Sequence, residues 1–182
     1  MEKLLEAKNL SVKFRKSDFT LRSLDFEINS GETVAIIGES GSGKTTFLKA
    51  LSFLSDDDAV ICGEIKFKGV DLVGMKEQEL RKYRFSSFSM VFQNSNEYLN
   101  PRLTLKESLS EILIKKYGRA EIFKKSLELM REVGLDESVL DNYPHELSGG
   151  MIQKFQVACA VSLAPELIYL DEPTSSLDAA SR

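Results

Sequence analysis

The stretch TVAIIGESGSGKTTFLKALSFL, from Thr33 to Leu54, constrains this chain more than any other. An apolar run leads into a Gly/Ser-rich turn, and the turn leads into Phe47, Leu48, Leu51 and Leu54 at the spacing of one helical face. That order predicts a buried parallel strand, a tight loop and an amphipathic helix, which is the repeating step of an α/β sheet. Gly38, Gly43, Lys44 and Thr45 fit G-x-x-x-x-G-K-[ST]. The span Gly38, Glu39, Ser40, Gly41, Ser42, Gly43, Lys44, Thr45 and Thr46 therefore reads as a phosphate cradle. Its glycines let successive N–H groups converge on phosphate oxygens, and the following helix adds its positive end. Lys44 would place a point charge on the β and γ phosphates, and the Thr45 hydroxyl would ligate Mg²⁺. An eight-residue pattern arises by accident, but the apolar run before it and the helix after it supply the context the mechanism requires.

The rest of the chain limits the partners. At 182 residues with 42% hydrophobic and 29% charged residues, it has the length and composition of one globular domain. A net charge of −4 gives no pull toward nucleic acid or an anionic membrane surface. Cys62 and Cys159 are too few for a disulfide framework, which fits a reducing, cytosolic compartment. The start MEKLLEAKNLSVKF is charged and alternating, unlike a signal peptide, and VACAVSLA is too short to cross a bilayer. If the protein works at a membrane, another chain must hold it there.

Before the cradle, Leu10, Val12 and Phe14 alternate, as do Leu24, Phe26 and Ile28, so a strand pair is expected, with Phe26 as packing. GEIKFKG reads as a short strand, KEQELRKYR as a charged helix and FSMVFQ as a strand. After Gln93 the character changes. TLKESLSEILIKK and RAEIFKKSLELMREVG read as amphipathic helices, the second stopped by Gly134. SGGMIQKFQVACAVSLA reads as a long helix, and LIYL as a return to a buried strand. The expected organisation is an α/β core over 1–93 and 155–182, interrupted by a helical subdomain over 94–154.

LSGGMIQK, from Leu147, is a second glycine-rich helix start. Its N–H groups and the Ser148 hydroxyl could face an anion that belongs to another molecule, and they serve equally as a plain N-cap. Two acids, Asp171 and Glu172, follow the LIYL run.

Taken in order, the phosphate loop, Gln93, LSGG, LIYLDE and SSLD resemble the ATP-binding cassette (ABC) ATPases over the whole chain. The resemblance implies a P-loop NTPase core of the ABC type, with an N-terminal antiparallel β part and an inserted α-helical subdomain. It implies a head-to-tail dimer with each ATP between one phosphate loop and the partner's LSGG. By the same resemblance Phe14 would stack on adenine, and Gln93 would touch Mg²⁺ and sense a transmembrane partner. Ser148, Gly149 and Gly150 would face the γ-phosphate across the dimer, and Asp178 would lie in a dimer-facing loop. Asp171 would hold Mg²⁺ through its water shell, and Glu172 would polarise the attacking water as general base.

Within the family, a DNA-repair ATPase would carry a coiled-coil excursion, and no heptad run is present. QNSNEYLNPRLT and YPHELSGGM, with Met151 after the glycines, resemble the cassettes of peptide and nickel importers. Asn94, Ser95 and the QKF run depart from the usual pattern there. Relatives continue past SLD to a strand and a switch histidine, whereas the one histidine here, His145, precedes LSGG and reads as a solvated loop residue. The expectation is a cassette with C-terminal core strands missing, a fragment that binds ATP but hydrolyses it weakly or not at all by itself. The leading reading is the ATP-hydrolysing subunit of a peptide or nickel importer, peripheral on the cytoplasmic face of the membrane. Its partners would be a second ABC ATPase subunit, identical or not, and transmembrane permease subunits, with no nucleic acid. The alternatives are a hydrolysis-impaired module partnering a competent cassette, or a soluble non-transport ABC ATPase.

Overall fold

The computed structural model describes residues 2–17, 20–55, 57–93 and 98–173, and the chain divides into two compact units, 1–84 and 85–182. The first unit is built on a four-stranded antiparallel sheet. Strand β1 (Lys3–Phe14) pairs with β2 (Thr20–Asn29) on one side and β3 (Ala59–Phe67) on the other, and β3 pairs with the short β4 (Val70–Asp71), giving the order β2-β1-β3-β4. The expected N-terminal strand pair is present, with Ala7 opposite Phe26 and Leu10 opposite Leu24. The GEIKFKG strand is the second half of a longer one that begins at Ala59.

A slip in the β1 pattern explains its shape. Leu5 and Ala7 are buried, and so are Leu10 and Val12, although strict alternation would turn the second pair outward. The ladder is irregular between Ala7 and Leu10 on one side and between Lys8 and Ser11 on the other, with Asn9 at φ 49°. This bulge inserts the extra residue that returns Leu10 and Val12 to the buried face. The Asn9 N–H donates to the Asp25 carboxylate at 2.7 Å.

Helix α1 (Lys44–Leu51) presses Phe47, Ala50 and Leu51 into the core, and Phe47 meets Phe26 edge-on at 5.4 Å. Phe26 is packing, as its alternation suggests. The helix stops before Leu54, which was expected on its face. Phe53 turns left-handed (φ 53°), the Leu54 N–H reaches the Lys49 carbonyl, and Ser52 Oγ bonds the Leu48 carbonyl. The chain thus makes a left-handed helix stop without the glycine that usually announces one. Helix α2 (Glu77–Tyr83) follows, capped by the Glu79 carboxylate on the Lys76 N–H.

The expected buried strand before the phosphate loop is not formed. Residues 32–39 have no regular secondary structure, and Val34, Ile36 and Ile37 are exposed, Ile37 by 93%. An apolar run becomes a strand only where another strand takes its hydrogen bonds, and among the described residues none pairs with 33–37.

In the second unit β5 (Phe88–Val91) and β6 (Leu167–Leu170) form a two-stranded parallel sheet, Phe88 opposite Leu167 through Val91 opposite Leu170. All of β5 is buried, whereas β6 buries Leu167 and Tyr169 and exposes Ile168 and Leu170. LIYL is therefore buried on one face rather than two. Helices α3 (Leu105–Leu113), α4 (Arg119–Glu132) and α5 (Gly149–Val161) pack around Leu109, Leu113, Leu129, Met130 and Phe155. Thr104 and Glu107 cap α3 reciprocally. Helix α4 stops at Gly134 (φ 66°), where the Leu135 N–H reaches back to the Met130 carbonyl, as the glycine foretold.

Candidate functional site

The Gly38–Thr46 stretch enters α1 through two left-handed glycines, Gly41 (φ 78°) and Gly43 (φ 100°). Both conformations are costly for residues with a Cβ, so these positions require glycine. Gly43 is the helix N-cap and brings no side-chain cap. The Lys44 ammonium donates to the carbonyls of Gly38 at 2.9 Å and Glu39 at 2.8 Å. The cation is thus folded back over its own loop. Gly38, Glu39, Ser40, Gly41, Ser42 and Thr45 are exposed, while Gly43, Lys44 and Thr46 are half-buried. Phe14, the last residue of β1, is half-buried opposite Ala59.

In the second unit, β5 and β6 end side by side and bring distant residues together. The Asp171 N–H continues the ladder to the Val91 carbonyl at 3.0 Å, and Asp171 is buried. Gln93, two residues past the end of β5, donates from Nε2 to Glu172 Oε2 at 2.5 Å. Glu172 has φ 45°, an uncommon backbone state for a residue with a Cβ, and such strain clusters at functional sites. Parallel pairing thus places Gln93 against Glu172.

Ser148 caps α5, its Oγ accepting from the Met151 N–H at 3.3 Å. Ser148 and Gly149 are exposed and Gly150 is half-buried, so the helix tip is capped and accessible at once. His145 lies exposed in a 3-10 turn and stacks on Tyr143. The reading of Asp178 falls outside the described residues. Among the described residues no group of three or more His, Cys, Asp or Glu side chains gathers as a metal site, and no helix is long and apolar enough to cross a membrane.

Two buried glutamines escaped the sequence reading. Gln156 accepts from the Phe92 N–H at 3.3 Å, and Gln153, 1% exposed, has neither amide atom hydrogen-bonded. The available signal was amide residues inside a largely apolar helix.

The ABC transporter family model matches residues 21–175. This chain belongs to the ABC transporter family. The cassette likeness extends to structure. The dimeric MJ0796, a bacterial ABC transporter cassette, matches at a TM-score of 0.86 and 30% identity over 98% of this chain and 78% of that one. The same cassette in a post-hydrolysis state, bound to ADP and Pi, matches at the same TM-score. The α/β fold of the ABC ATPase type is therefore the fold of this chain. Two cassette relatives are the dipeptide transport ATP-binding protein DppD of Lactococcus lactis and the oligopeptide transport ATP-binding protein AppD of Bacillus subtilis. Each is 40% identical, over 97% and 98% of this chain and 53% and 57% of their own lengths. The chain spans about half the length of these curated relatives.

Proposed function

We propose that this cassette binds ATP and drives its hydrolysis as a subunit of a peptide importer. The observation that carries the reading is Lys44, a cation folded over a glycine-lined loop at the start of α1, ready to exchange two carbonyl partners for phosphate oxygens. Around it, residues 38–46 hold the phosphates, and Phe14, half-buried at a strand end, offers a ring for adenine. Glu172 polarises the attacking water, and Gln93 orients it. The helix tip at exposed Ser148 and Gly149 and half-buried Gly150 serves the nucleotide of a second cassette.

The Thr45 hydroxyl, the Gln93 amide oxygen and the Asp171 carboxylate are hard oxygen donors that suit Mg²⁺ rather than a softer metal. When bound, Mg²⁺ neutralises charge on the β and γ phosphates. Peptide is favoured over nickel as cargo because the relatives include dipeptide and oligopeptide transport proteins. The partners are a second cassette and a permease, with this chain peripheral on the cytoplasmic side. Residues 94–154 act as the helical subdomain and 1–93 with 155–182 as the α/β core. The test is equilibrium binding of a fluorescent ATP analogue to wild type and Lys44→Ala. Saturable, magnesium-dependent binding lost in the variant supports the reading, and equal affinity removes it.

A further inference from the structure

Gln156 sits on α5 two turns beyond Gly149 and is 6% exposed. Its Oε1 takes the N–H of Phe92, the residue between the end of β5 and Gln93. The Phe92 ring stacks on Tyr98, with centroids 3.6 Å apart and planes 9° from parallel. The backbone that presents Gln93 is therefore held from two directions, by α5 and by the ring stack. Gln93 in turn holds Glu172.

We propose that Gln156 is a positioning residue for ATP hydrolysis: its side-chain oxygen fixes the Phe92 backbone to α5, and so sets the Gln93 amide against Glu172. The inference rests on the reading of Glu172 as the general base. Its physical content is a path of consecutive hydrogen bonds from the helix that begins at Ser148 to the acid that acts on water. A helix moves as a rigid rod, so a shift of α5 when its tip meets a second cassette's nucleotide displaces the Phe92 N–H and with it Gln93. Neither apolar periodicity nor capping calls for an amide at 156. An acceptor for a strand-end N–H does.

The test uses the assembled ATPase with Gln156→Met, which keeps volume and removes the acceptor, and Gln156→Glu, which keeps an acceptor oxygen in either protonation state. In Gln156→Met, kcat should fall about tenfold or more with KM for ATP within about twofold, the pattern of a misplaced reacting group. Amide exchange of Phe92 should quicken in the same variant, and Gln156→Glu should restore both readouts. Wild-type kcat in Gln156→Met, or a parallel loss of kcat and ATP affinity in both variants, overturns the inference and leaves the function standing. Wild-type assemblies that bind ATP and never hydrolyse it overturn both. Unchanged Phe92 exchange in Gln156→Met removes the structural premise and with it the proposal.

Discussion

The side-chain amide of Gln93 donates to the Glu172 carboxylate at 2.5 Å across 79 residues of sequence. The hydrogen bond exists because β5 and β6 are parallel neighbours that end together, each releasing a polar residue at the same edge. A carboxylate that accepts from an amide is oriented, and orientation is what a general base needs. In the assembled protein Glu172→Gln should leave ATP affinity within about twofold and lower kcat by about 10²–10⁴. It should also trap an ATP-bound dimer, visible by size-exclusion chromatography with ATP. A variant that keeps its kcat would remove Glu172 from the reaction.

The Lys44 ammonium tethers its own loop through the Gly38 and Glu39 carbonyls, and the proposed function gives it a second role as phosphate ligand. Lys44→Ala deletes both, so nucleotide affinity should fall by at least about 10²-fold, on the scale of a lost charge-assisted contact set. Lys44→Arg keeps the charge but not the compact head, and should recover little. Calorimetric titration with MgATP measures both. Binding by Lys44→Ala at wild-type strength would show that the loop does not hold phosphate.

Ser148 caps α5 through the Met151 N–H. Ser148→Ala should cost about 1 kcal/mol in denaturant unfolding, as cap removal does elsewhere. Ser148→Arg should leave ATP binding to the monomer intact and block the ATP-dependent dimer, because the exposed tip then carries a bulky side chain. Loss of monomer binding in Ser148→Arg would contradict a tip that serves another subunit's nucleotide.

The site was more legible than the sheet. The loop residues, the Ser148 cap and the acid pair announce themselves because each is a local pattern whose chemistry depends on neighbours in sequence. The hydrogen bonds Gln93–Glu172 and Phe92–Gln156 span 79 and 64 residues and carry no local mark. TVAIIG reads as a strand on composition, yet a strand is defined by its partner's N–H and C=O groups, which sequence does not supply. The early end of α1 at Leu51 was hidden for another reason: Phe53 adopts the left-handed stop normally left to glycine. The bulge at Asn9 went unread, because only burial shows that Leu5, Ala7, Leu10 and Val12 share one face and that the period slips once between them.

That bulge needs Gly63. With φ 106° and an added Cβ lying 2.6 Å from the carbonyl oxygens of both Lys8 and Asn9, no side chain fits without moving backbone. Gly63→Ala should destabilise the first unit by about 2–4 kcal/mol, combining left-handed strain with steric conflict. Urea unfolding followed by circular dichroism measures it. A cost under about 0.5 kcal/mol would mean that β1 and β3 do not approach as closely as their register requires.

Cys159 and Tyr169 give the second unit an alkaline limit. Burial pushes the Cys159 thiol up from 9.0 to about 12, and burial likewise pushes the Tyr169 phenol well above 10.0. Both groups stay protonated in the fold and ionise near their ordinary values once the chain unfolds. A raised folded value means that the folded state holds more protons, so the stabilisation is complete below about pH 9 and declines as pH rises. The decline should approach about 1.4 kcal/mol per pH unit while only the thiol titrates in the unfolded chain, and steepen once the phenol joins above about pH 10. Denaturant midpoints measured from pH 7 to 10.5 should therefore be level and then fall, and Cys159→Ala should delay the fall by about one pH unit. Thiol labelling at pH 8 supplies an independent check: exposed Cys62 reacts at once and buried Cys159 only on unfolding. Two thiols that react together in the native protein would show that α5 does not seal Cys159 from water.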